Sequence, residues 1–76
     1  MTRGHVRRYK VAWDPQAGEW YAVFPDGTEK AYHAKSTAIR VCRLACWADA
    51  KAGKRALLIV RGPHGHIQFE NEYNPD

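Results

Sequence analysis

Ala56-Leu57-Leu58-Ile59-Val60 is the longest uninterrupted aliphatic run in the chain, flanked by Lys54-Arg55 and by Arg61-Gly62-Pro63. It is too short for a membrane span and too unbroken for an amphipathic helix. It reads as a central β-strand, apolar on both sides because both faces of the sheet are covered there. Downstream, Gly62-Pro63-His64-Gly65 supplies turn chemistry, and Ile67-Gln68-Phe69-Glu70 alternates as the last strand. The residues from Asn71 on are polar, and 74–76 read as a tail.

Upstream of the run the period changes from two to that of a helix. Ser36 or Thr37 offers an N-cap, a helix is expected over 37–52, and Gly53 is a natural stop. Lys51, Lys54 and Arg55 suit the negative end of its dipole. Earlier still, Tyr9, Val11 and Trp13 alternate with Lys10 and Ala12, and Trp20, Ala22 and Phe24 alternate with Tyr21 and Val23. The turn residues Asp14-Pro15-Gln16-Ala17-Gly18 join these two strands into an antiparallel hairpin, which Pro25-Asp26-Gly27 ends. Lys30 to Ala34 reads as a short third strand or an extended connection. The expected fold is α+β: a small antiparallel sheet in ββ(β)αββ order with one helix packed on one face. The other face is then solvated, or covered by a second copy or a partner.

The length, 76 residues, allows one modest core, expected over residues 9–73, with residues 1–8 a flexible basic arm. Two cysteines cannot frame a small secreted domain, and no apolar stretch follows the basic residues Arg3, Arg7 and Arg8 as a leader would require. These features point to the reducing cytoplasm, with no membrane partner. The net charge of +4 is unevenly spread: residues 1–10 hold four cations and no acid, and residues 35–55 hold six cations against Asp49 alone. Such clustering suits an anionic partner, and it also suits a plain solvated face.

With 100° per residue, the helix gathers Val41, Cys42, Ala45, Ala48 and Ala52 on one side, with Ile39, Leu44 and Cys46 at its margins. That side is expected to face the sheet. The opposite side carries Arg40, Arg43, Lys51 and Lys54, with Trp47 in their midst. Cations bind phosphate or carboxylate, and an indole stacks or buries, so these residues, with Arg7 and Arg8 of the arm, form the candidate binding set. Arg43 and Lys51 lie four residues from Trp47, within cation–π reach. The plainer alternative is a surface ring covering the stems of two long side chains. Asp49 falls on the sheet side, where a carboxylate has no evident place; Lys35, Lys54 and Arg55 are the partners within reach along the sequence.

Other chemistry is thinly signalled. Cys42 and Cys46 sit one turn apart with parallel side chains, poorly disposed for a disulfide; as buried thiols they pack like small hydrophobes. With His33, His64 or His66 they could complete a zinc site, but structural zinc favours other spacings, so no metal and no cofactor is expected. His64 and His66 read as turn residues, since no nucleophile or carboxylate stands beside them in sequence. Glu70 and Glu72 alternate on the last strand and read as solvated. No small-molecule substrate or enzymatic activity is expected.

Several stretches resemble one family: Trp20 in the second strand, the Lys35-Ser36-Thr37-Ala38-Ile39 helix start, the Leu57-Leu58-Ile59-Val60 strand, and the closing Gly65-His66-Ile67-Gln68-Phe69-Glu70-Asn71-Glu72-Tyr73. Together they are similar to small bacterial and phage proteins of domain-of-unknown-function family 2188, over about residues 9–76. The resemblance implies a compact ββαββ-type domain and carries no activity. Its departures are a longer second strand and turn, and Cys42, Cys46 and Trp47 where members commonly hold alanine, charged or polar residues. Two functions remain open: a nucleic-acid-binding or regulatory module using Arg40, Arg43, Trp47, Lys51 and Lys54 with phosphate contacts from Arg3, Arg7, Arg8 and Lys10, or a protein-interaction domain. The second would be a homo-oligomer or an effector docking on a host protein, burying Trp47 or the sheet residues Tyr21 and Val23.

Overall fold

The structure, a computed structural model, describes residues 6–75. They contain β1 (Val6–Asp14), β2 (Glu19–Val23), β3 (Glu29–Tyr32), α1 (Lys35–Lys51), β4 (Arg55–Arg61) and β5 (Ile67–Tyr73). The five strands form one sheet in the order β3-β2-β1-β4-β5, with α1 across one face. Of the expected arm, residues 1–5, Arg3 among them, lie outside the described residues, as does Asp76 of the tail.

The sheet is mixed rather than antiparallel. β1 pairs with β4 in parallel, Tyr9 beside Leu58 and Val11 beside Val60, while the other three pairs are antiparallel. The reason is connectivity. β1, β2 and β3 alternate in direction, and the helix returns the chain to the end at which β1 began. β4 therefore starts beside Val6 and runs alongside β1, as strands joined through a helix do. This pairing also gives Val6, Arg7 and Arg8 ladder partners in Arg55, Ala56 and Leu57, so they are strand residues and not an arm. β5 likewise continues through Asn71 to Tyr73, because Ala56 at the start of β4 needs a partner on that side.

Alternation sorts the side chains. Tyr9, Val11, Ala22, Ala56, Leu58 and Val60 face the helix and are buried; Ala38, Cys42 and Cys46 meet them from α1. These three helix residues are small and four apart, so one narrow row lets the helix sit close to the sheet. Val41 is only half-buried, and Ala48 and Ala52 are exposed, so the helix is rolled away from the side that the apolar count favours. Trp20, Phe24, Tyr32, Phe69 and Tyr73 close the edges of the core.

Ser36 and Thr37 do not cap α1. Ala34, with extended backbone, precedes the first turn, and no side chain hydrogen-bonds there. Ala34 and Ser36 are both exposed, which leaves the first turn open to water. The other end matches expectation: Gly53 has φ +86°, its N–H donates to the Ala50 carbonyl at 3.0 Å, and the Lys54 N–H donates to the Asp49 carbonyl at 2.8 Å. That pair of bonds is a Schellman motif, which requires the left-handed residue that glycine supplies.

Two substitutions test this account in urea denaturation. Leu58→Ala removes a fully buried side chain and should cost about 2–5 kcal/mol. Gly53→Ala forces a Cβ into the left-handed region and should cost about 1 kcal/mol.

Candidate functional site

The outer surface of α1 is set by what its inner surface must satisfy. Asp49 points toward the sheet, where its Oδ2 accepts hydrogen bonds from the Tyr9 hydroxyl at 2.6 Å and the Arg7 Nε at 3.1 Å. Its side chain is only 15% exposed. The partners anticipated from nearby sequence, Lys35, Lys54 and Arg55, do not serve it. Arg7 does, from the segment read as an arm. A carboxylate this sheltered needs such charge-assisted donors, and with them it ties the last turns of α1 to β1.

The roll fixed by this contact sends Arg40, Leu44, Trp47 and Lys51 outward along one row, with Arg43 beside it; all five are exposed. Leu44 is 56% exposed and Trp47 51%, two of the three exposed large apolar residues among those described. The helical period alone puts Leu44 at the margin of the buried side, and its outward position follows from the same roll. The Trp47 and Tyr73 rings, the latter on β5, form a T-shaped pair with centroids 6.1 Å apart and planes at 85°. This contact replaces the expected cation–π pairs with Arg43 or Lys51. Among the described residues those pairs form elsewhere: Lys10 on Tyr21, Lys30 on Tyr32 and Lys35 on Trp20. Beside the indole lies a hollow of about 230 Å³ lined by Trp47, Ala50, Lys51 and Asn74.

The remaining expected residues scatter. Lys54 is exposed but lies beyond the helix stop. Arg7 is committed to Asp49. Arg8 and Lys10 alternate with Arg7 and Tyr9, so they project from the sheet face opposite the helix. The structure thus brings Arg40, Arg43, Trp47 and Lys51 together and separates Arg7, Arg8 and Lys10 from them. Sequence reasoning missed Leu44 and Tyr73. The recurrence of Arg40, Leu44, Trp47 and Lys51 at intervals of four, three and four was a signal for the first; nothing local announced the second.

Cys42 and Cys46 are free and fully buried, with burial pushing their thiols up to about 11 and about 12. His64 and His66 stand exposed at the β4–β5 turn, where the Gly65 N–H donates to Gly62 and the Gly62 N–H to His66. Among the described residues no three of His, Cys, Asp and Glu gather as a metal-holding group, and no helix is long and apolar enough to cross a membrane.

Burial, with the bond to Asp49, raises Tyr9 to about 12. The native state therefore keeps the tyrosine proton at pH values where an unfolded chain, titrating near 10, has lost it. This contribution is complete below pH 10 and is lost as pH rises toward 12. Tyr9→Phe should cost about 1.5–3 kcal/mol at pH 7 by leaving Asp49 short of a donor, and should flatten that part of the alkaline stability loss. Chemical denaturation from pH 7 to 12 measures both. The protonated, buried thiols of Cys42 and Cys46 should react with iodoacetamide only at the rate of unfolding, against immediate labelling in denaturant, as mass spectrometry would show.

No family model, no curated protein and no solved structure matches this chain.

Proposed function

We propose that the protein is a non-enzymatic binding module that holds nucleic acid across the outer face of α1. Arg40, Arg43 and Lys51 take phosphates, and Trp47 offers its ring to a base. One observation carries this reading: the only acid of the helix is turned under it and held by Arg7 and Tyr9, so every accessible charge on α1 is positive. Those three cations form no ion pair among the described residues and are open to a ligand. Phosphate neutralisation gives affinity without sequence readout, and stacking on an aromatic ring tolerates any base, so a single strand suits the face best.

A second reading rests on Leu44. An exposed leucine beside an exposed tryptophan, rimmed by cations, also fits a protein partner with an acidic, apolar surface. Nucleic acid is preferred because the cations outnumber the apolar groups and surround them.

The test is fluorescence anisotropy of labelled single-stranded DNA, single-stranded RNA and duplex DNA. Binding through three phosphate contacts should weaken about 20- to 40-fold between 50 and 200 mM salt. Arg40→Glu with Arg43→Glu should abolish it while leaving the circular dichroism spectrum unchanged, and Trp47→Ala should cost about 1–3 kcal/mol of binding. No binding to any of the three probes at low salt removes the reading and leaves the acidic protein surface.

A further inference from the structure

The continuous apolar run of β4 has only one of its sides covered. Ala56, Leu58 and Val60 are buried under α1, but Leu57 and Ile59 on the opposite face are only half-buried. A strand apolar on both faces is the pattern of a sheet covered on both faces. The groups around Leu57 and Ile59 say what the second cover is. In one row across the sheet, Lys10 of β1 pairs with Ile59 of β4, which pairs with Glu70 of β5. In the next row, Arg8 pairs with Leu57, which pairs with Glu72. The face is therefore striped along the strands: cations on β1, acids on β5, and on β4 the apolar pair Leu57 and Ile59 with Arg55 and Arg61 at its two ends.

Within one chain these stripes lie too far apart to neutralise each other across β4, since two strand spacings separate them by about 9.5 Å. Lys10 leans instead over Tyr21 at 5.7 Å, and Glu72 makes a long contact to Arg55 at 3.5 Å. We propose that this face binds a second copy of the same chain, about a two-fold axis running along β4. That operation lays Leu57 and Ile59 on their own counterparts, with Arg55 and Arg61 meeting theirs at the two ends of the strand, where Arg55 contacts Glu72 of its own chain and Arg61 donates to the Gly65 carbonyl. It sets Lys10 against Glu70 of the other copy, and Arg8 against its Glu72, with each pair occurring twice. An axis along β1, or one across the strands, would instead set the cations of β1 against each other and leave Glu70 and Glu72 without a cation of the other copy. Aligned sheets cross at about 30°, which displaces a charge about 5 Å from the axis by only about 2.5 Å, within reach of lysine and glutamate side chains. A two-fold contact must be self-complementary, and the Lys10–Glu70 and Arg8–Glu72 pairs satisfy that requirement about this axis.

The surface is separate from the outer face of α1, so the two proposals fail independently. Sedimentation of the full chain across concentration should show dimer formation that weakens with salt. Lys10→Glu alone, or Glu70→Lys alone, should weaken self-association roughly a hundredfold by opposing like charges. Mixing the two variants should restore a dimer. The introduced glutamate of one chain then meets the introduced lysine of the other, and the untouched Glu70 of the first meets the untouched Lys10 of the second. Arg8→Glu and Glu72→Arg provide a second pair with the same logic should either first variant fold poorly, as judged by circular dichroism. Trp47→Ala should leave association unchanged. A parent chain that stays monomeric to millimolar concentration, single variants that dimerise like the parent, or a mixture that stays monomeric would each overturn the proposal.

Discussion

The hydrogen bonds from Tyr9 and Arg7 to Asp49 join the end of α1 to the strand at the centre of the sheet. A sheltered carboxylate cannot turn away without losing both donors, so the contact sets the roll of α1. From that roll follow the sheltered row of Ala38, Cys42 and Cys46, the outward row of Arg40, Leu44, Trp47 and Lys51, and the absence of accessible negative charge on the helix. Asp49 thus shapes the character of a surface on which it does not appear. The same contact explains why Arg7 stands on the apolar face of β1, where it would otherwise interrupt the alternation begun by Tyr9, Val11 and Trp13.

The sheet has two faces with different chemistry because α1 covers one of them. Under α1 the alternating residues of β1, β2 and β4 are apolar and close-packed, apart from Arg7 beside Asp49. On the far side stand the cations of β1, the apolar pair of β4 between Arg55 and Arg61, and the acids of β5. The positive charge that looked like one clustered feature along the chain is divided between these faces, with Arg40, Arg43 and Lys51 on one and Arg8 and Lys10 on the other. The two proposed surfaces, for an anion over the helix and for a second copy over the open sheet, can both be occupied at once.

Much of the fold was legible in local pattern. The period-two stretches at Tyr9–Trp13 and Trp20–Phe24, the unbroken run at Ala56–Val60 and the stop at Gly53 all became the elements expected, because side-chain alternation and left-handed backbone are local properties. The candidate site was legible in part: Trp47, Arg40, Arg43 and Lys51 share a face because helical geometry alone decides it. Which neighbours that face has was not legible, and so the Trp47–Tyr73 contact replaced the expected cation–π pairs.

By itself, then, the sequence determined the type and order of the elements, the half of each strand that seeks cover, and the cationic bias of the helix. Tertiary structure alone decided that β1 and β4 run parallel, that Val6 to Arg8 belong to a strand, and that Leu44 faces outward. The physical reason is range. Each of these outcomes rests on contacts between residues forty to fifty positions apart, such as Arg7 with Asp49 and Arg8 with Leu57. Such contacts leave no periodicity in either segment and come into being only when the chain closes on itself.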